Sequence, residues 1–173
     1  MNFPPEDIQV LVSKIAAILR SRNETLAVSE AACGGLLSAY VVSVPGASDF
    51  YIGGKLVYSL KQRLKLSGWS DVEISQYMGP SEQVALKLAR TAKYELGSTY
   101  VLSETGFAGP SSDLHLNHNQ DQNTAAKVGT VFLGLSGPAK EISCSRETGS
   151  VERATNMTEF AKLGLEFLLE QLQ

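Results

Sequence analysis

The chain has 173 residues with 43% apolar and 19% charged side chains, a balance that fills a sizeable core and excludes a disordered or fibrous class. Its 15 Lys and Arg against 18 Asp and Glu give a net charge of −3, so the basic surplus expected of a duplex nucleic-acid binder is missing. No apolar run reaches the roughly 20 residues of a membrane span, and Met1 to Val10 carries Glu6 and Asp7 in place of an apolar signal core. The expectation is a cytoplasmic protein without nucleic-acid or membrane partners.

Ile8, Leu11, Val12, Ile15, Ala16 and Leu19 recur at helical spacing behind Pro4 and Pro5, which predicts an opening helix. Thr25 to Val28 predicts a strand, Cys33-Gly34-Gly35 a turn, and Leu36 to Val44 a helix that Pro45-Gly46 ends. Gly53-Gly54 is expected to precede a second strand at Lys55 to Tyr58. Short helices follow at Leu60 to Leu66 and Asp71 to Tyr77, separated by Gly68-Trp69-Ser70. Pro80-Ser81-Glu82 opens a longer helix that Gly97 closes. Thr99 to Ser103 predicts a strand running into a glycine-bearing loop at 104–110. Residues 111–125 are polar and read as an insertion; His115 and His118 lie there, better explained as solvated than as metal ligands. Val128 to Leu135 and Glu141 to Ser145 predict a hairpin across Ser136-Gly137-Pro138, and Thr155 to Leu172 a closing helix whose Leu/Phe stripe serves the core or an oligomer contact.

Strands alternating with helices, then a hairpin, predict one α/β domain over residues 1–173: a three-layer α/β/α arrangement on a mixed sheet. Cys33 and Cys144 read as reduced thiols, although their separation does not forbid a bridge. No cofactor and no metal site is expected. Ligands of open α/β folds gather beyond the carboxyl ends of strands. Loops 29–35 and 104–110 are therefore expected to share one cleft with Tyr58 on its wall. The polar candidates are Ser29, Glu30, Cys33, Ser48, Tyr58, Ser59, Arg63, Glu104 and Thr105, each of which capping or turn chemistry would also explain.

Several ordered motifs carry a resemblance. Ser29-Glu30-Ala31-Ala32-Cys33-Gly34-Gly35-Leu36-Leu37 resembles A-E-S-C-T-G-G-L-L of the CinA C-terminal domain, the nicotinamide mononucleotide deamidase family. Val44-Pro45-Gly46-Ala47-Ser48, Gly53-Gly54 and Tyr58-Ser59 resemble its V-P-G-S-S…G-G…Y-S. Thr105-Gly106-Phe107-Ala108-Gly109-Pro110 resembles T-G-I-A-G-P, and Val128-Gly129-Thr130-Val131 matches V-G-T-V. Gly149 and Arg153 answer loosely to G-D-R…R.

The resemblance implies hydrolysis of the carboxamide of nicotinamide mononucleotide: a serine attacks the amide carbon, a lysine takes the hydroxyl proton and a tyrosine assists. The serine position is Ala31 here, and the lysine position is Arg63, which stays protonated. Tyr58 and Glu30 remain, and Cys33 stands where the family has threonine. These changes favour binding over chemistry. The ligand-binding set is then Glu30, Cys33, Gly34, Gly35, Ser48, Tyr58, Arg63, Thr105, Gly106 and Gly109. The ligand is expected to be a small anionic nucleotide, held by accessible N–H groups at Gly34 and Gly35 and by the Arg63 fork, with a homo-oligomer allowed. One alternative is an active amidohydrolase using Ser29 or a Cys33 thiolate; Lys61 is a weaker substitute base. Another is a scaffold protein.

Overall fold

The opening helical pattern forms α1, Glu6–Arg22, with Ile8, Val12, Ile15, Ala16 and Leu19 buried along one side. Asn23 ends it in the left-handed conformation at φ 53°, and Arg20 and Arg22 sit in its last turn, where cations suit the helix dipole. The computed structural model describes residues 2–59, 64–112 and 127–173. The chain then enters β1, Leu26–Glu30, five residues that are all buried, as befits a strand covered on both faces.

β1 pairs in parallel with β2, Tyr51–Leu56, on one side and with β3, Tyr100–Gly106, on the other. β4, Thr130–Ser136, and β5, Glu141–Glu147, continue antiparallel, giving the order β2-β1-β3-β4-β5. The sheet is therefore mixed. α1, α2 (Leu36–Val42) and α5 (Arg153–Leu172) cover one face; α4 (Glu82–Leu96) covers the other. The short α3, Asp71–Ser75, is held by a capping box between Ser70 and Glu73. This is the expected three-layer α/β/α architecture.

Strand alternation sorts the side chains. Leu26, Val28, Leu102, Val131, Leu133 and Leu135 join Phe160 and Leu165 in the larger core under α1, α2 and α5. Ala27 and Val101 meet Ala89 and Ala92 of α4, where small residues let helix and sheet close together. Leu64, Tyr77, Val84 and Leu88 form a satellite cluster against which Trp69 packs, its ring edge-on to Tyr77 at 5.8 Å. Trp69 is thus a packing anchor. The same alternation puts Glu30 and Glu104 on the α2/α5 face, beyond Val28 and Leu102.

The strand bounds shift throughout, and β2 and β3 depart furthest from expectation. β2 begins at Tyr51 and contains both glycines that looked like a preceding turn. A Cβ on Gly54 would lie 2.1 Å from the Val28 carbonyl oxygen, so the pair reflects close strand approach and not chain reversal. β3 runs on through Glu104, Thr105 and Gly106, because β4 pairs with it as far as Gly106 opposite Val131. The helix expected at Leu60 to Leu66 is seen at 64–66, and residues 60–63 lie outside the described residues. The polar insertion expected at 111–125 also falls there from 113 onward, with His115 and His118. No helix among the described residues is long and apolar enough to cross a membrane.

Candidate functional site

The glycine turn after β1 is held by two carboxylates. Glu30, the last residue of β1, accepts from Gly35 N at 2.8 Å, Leu37 N at 3.1 Å and Ser38 N at 2.9 Å. It also accepts from Ser38 Oγ at 2.6 Å, and the Tyr51 hydroxyl donates to that same oxygen at 3.0 Å. Glu104, inaccessible on β3, accepts from Ala31 N and Cys33 N, both at 3.0 Å, and from Ala32 N at 3.2 Å. Gly34 N bonds the Ala31 carbonyl and Leu36 N the Cys33 carbonyl. Every N–H from Ala31 to Ser38 is thereby satisfied within the protein. The accessible N–H groups expected at Gly34 and Gly35 are not there. Side-chain carboxylates have taken the position a bound anion would occupy, since successive N–H groups at such a turn favour negative charge.

This arrangement sets the ionisation of its neighbours. Burial raises the Glu104 carboxyl above the usual range, the Cys33 and Ala31 N–H groups oppose that rise, and nearby Glu30 adds to it. Burial likewise lifts the Cys33 thiol well above its ordinary value, and Glu104 and Glu30 push the same way. The Cys33 thiol of the alternative reading is enclosed and faces two carboxylates, which disfavours a thiolate there.

The second loop is tied to the closing helix. Arg153, the first residue of α5, donates from Nη1 to the Gly109 carbonyl at 2.5 Å and from Nη2 to the Tyr58 hydroxyl at 2.6 Å. Asn156, fully buried, donates from Nδ2 to the Ala108 and Ser150 carbonyls, both at 3.0 Å, and accepts from Thr148 Oγ1 at 2.5 Å. Glu152 caps the helix, accepting from Ala154 N and Thr155 N. Between α2 and α5 lies an open hollow of about 480 Å³, lined by Cys33, Gly34, Gly35, Ala39, Ala154 and Met157 among others.

The expected residues divide accordingly. Loops 29–35 and 104–110 meet through Glu104, and Arg153 separately links Gly109 of the second loop to Tyr58. Tyr58 is 58% exposed, which leaves its ring open to a ligand. Ala31 is buried, and Ser29 is buried with its Oγ unpartnered among the described residues. Thr105 is buried on β3, where alternation turns it away from Glu104. Gly106 is structural in its contacts, since a Cβ there would lie 2.5 Å from the Thr130 carbonyl oxygen. Ser48 is not brought to this cluster: it sits in the turn Ala47–Asp49 beside the Arg20–Asp49 ion pair, where β1 and β2 begin. Arg63 and Lys61 lie outside the described residues. Among the described residues no group of three or more His, Cys, Asp or Glu is placed to hold a metal.

Sequence reasoning did not find Asn156, Ser38 or Tyr51, and gave Arg153 only a loose register. No local spacing marks them. Arg153 acts on residues 44 and 95 positions away, so only the fold reveals its partners.

The fold and site together define an α/β/α domain with a mixed five-stranded sheet and a carboxylate-bound glycine turn after its first strand. The profile of the CinA C-terminal domain matches residues 8–172, and the chain belongs to that family. A CinA-like protein of Nostoc sp. is 36% identical over 77% of this chain and 29% of its own length. One of Synechocystis sp. is 36% identical over 83% of this chain and 32% of its own length. The chain thus spans about a third of the curated relatives it matches. The competence/damage inducible protein CihA of Agrobacterium tumefaciens superposes with a TM-score of 0.85 at 21% identity, covering 100% of both chains. A competence-damaged protein (CinA) superfamily structure from Escherichia coli gives 0.84 at 20% identity, covering 100% of this chain and 95% of the other. Both share the fold.

Proposed function

We propose that this domain binds a pyridine nucleotide, or a similar anionic nucleotide, without hydrolysing it. One observation carries the reading. The position that the resemblance gives to the nucleophile is Ala31, and neither substitute within reach is fit for attack. Cys33 is enclosed with its thiol pKa raised by burial and by two carboxylates. No general base among the described residues touches the Ser29 Oγ. Arginine at position 63 in place of the family's lysine supports the same reading, because it keeps a cation while removing a base. Tyr58 and Arg153, hydrogen-bonded to each other, supply an exposed aromatic face and a fixed cation.

Ammonia release from nicotinamide mononucleotide by the purified protein tests this directly. The wild type is expected to release none above the buffer rate, and Ala31→Ser with Arg63→Lys to gain a measurable rate. Robust wild-type turnover abolished by Ser29→Ala or Cys33→Ala would instead establish an active amidohydrolase.

A further inference from the structure

We propose that this chain forms a two-fold dimer by pairing β2 antiparallel with β2 of a second copy, centred on Gly54. The inference is independent of the nucleotide reading.

β2 is one edge of the sheet, and no strand lies on its outer side among the described residues. An edge strand presents unpaired N–H and C=O groups, and proteins that avoid self-association blunt such an edge with charge. The opposite edge carries that protection. β5 exposes Glu141, Arg146 and Glu147, which form ion pairs with Arg90, Glu170 and Lys127 in turn. β2 is built the other way. Its exposure alternates: Ile52, Gly54 and Leu56 are exposed, and Tyr51, Gly53 and Lys55 are half-buried. The exposed face is therefore apolar, with Ile52 47% and Leu56 55% accessible. The one charge of the strand, Lys55, is on the alternate face, where its Nζ donates to the Leu66 carbonyl at 2.8 Å and pairs with Glu95 of α4. The bulge in β2 adds no protection. Its extra residue, between the partners of Leu26 and Ala27, is Ile52, an apolar side chain left in solvent.

The order of side chains selects the partner. Two identical strands that pair antiparallel need a pattern symmetric about the pairing centre. About Gly54, Ile52 faces Leu56 of the second copy, and Gly53 faces its Lys55. Each cross-strand contact on the exposed face is then apolar against apolar, and no two like charges stand opposite each other. Gly54 meets its own copy at the axis, where the missing side chain lets the backbones close up. Pairing β2 with β5 of another copy would set Ile52 and Leu56 against a charged strand and would build an open fibre. The two-fold arrangement closes, covers both apolar edges and leaves only the charged β5 edges outward.

Sedimentation of wild type, Ile52→Lys, Leu56→Lys and Ser145→Lys, together with amide exchange in residues 51–56, tests the pairing. Positions 52 and 56 on β2, and 145 on β5, are exposed, so a single copy accepts lysine at each. Wild type should sediment as a dimer at micromolar concentration, and its exchange in 51–56 should slow as concentration rises. Ile52→Lys and Leu56→Lys each place two lysines in the seam and should raise the dimer Kd by about a hundredfold, with an unchanged circular dichroism spectrum. Ser145→Lys should leave the Kd within about twofold. A wild type that is monomeric at every concentration overturns the proposal. So does a dimer equally tight in both β2 variants, or one weakened as much by Ser145→Lys. Should the β2 variants lose the native spectrum, wild-type exchange decides: rates in 51–56 that do not change with concentration overturn the pairing.

Discussion

Glu104 is the residue whose role departs most from its appearance in the sequence, where it reads as one polar side chain in a loop. It is a fully buried carboxylate on a strand, accepting three N–H groups of the turn next door. Burying a carboxylate is costly, and these donors offset that cost. Glu104→Leu removes the acceptor and strands Ala31, Ala32 and Cys33 N–H in a dry site. Each unpaired donor costs about 1–3 kcal/mol, so a loss of about 3 kcal/mol or more is expected in urea unfolding. Glu104→Gln keeps one oxygen acceptor and should lose less. Equal midpoints for wild type and Glu104→Leu would mean that the burial cost cancels the bonds. The same enclosure governs Cys33. Its thiol is inaccessible and held protonated, whereas Cys144 is half-buried and nearby Arg146 counters part of the rise that burial causes. Iodoacetamide at pH 8 should label native Cys144 about a hundredfold faster than Cys33, with the two rates converging in denaturant; mass spectrometry reads both sites. Faster labelling of Cys33 would reopen its candidacy as a nucleophile.

At the scale of elements, the helices were legible because period and punctuation agree. Ser81 caps α4 by accepting from Val84 N at 3.1 Å, and Gly97 ends it in the left-handed conformation at φ 71°. Both were readable from Pro80-Ser81-Glu82 and Gly97. Ser81→Ala should cost about 1 kcal/mol, seen as a lower urea midpoint with unchanged slope. The edges of β2 and β3 were not legible, and the reason is physical. A strand ends where its partner ends, and the partners of Glu104 to Gly106 are Leu133 to Val131, almost thirty residues later. Gly53-Gly54 has the composition of a turn; only the approach of Val28 shows why a strand needs it. Gly54→Ala would drive its methyl into that carbonyl oxygen. It should detach β2 from β1, and amide exchange in residues 51–56 should rise well before that of β3.

Across the whole molecule, the site joins the two ends of the sequence. The turn that follows β1 is fixed by a residue of β3, and the loop that follows β3 is fixed by the first turn of α5. The convergence of two glycine loops was readable because each follows a parallel strand. The groups that fix the second loop were not, since Arg153 was matched only in a loose register ahead of the helix expected at Thr155 to Leu172, and Asn156 lies in that helix, which was read for its apolar stripe. These two residues differ in burial, which gives separable expectations. Asn156 is fully enclosed and serves Ala108, Thr148 and Ser150 together. Asn156→Leu leaves two carbonyls and a hydroxyl without that partner and should cost about 2–4 kcal/mol of stability, because buried polar groups are stranded. Arg153 is exposed, and Arg153→Gln should cost less than about 1 kcal/mol. For nicotinate mononucleotide the order should reverse: Arg153→Gln removes the cation itself, whereas Asn156→Leu acts only by loosening the loop that carries Gly109. Thermal melting and calorimetry on the same two variants compare these orders. A binding loss in Asn156→Leu larger than in Arg153→Gln would make loop rigidity, and not the guanidinium, the determinant of affinity.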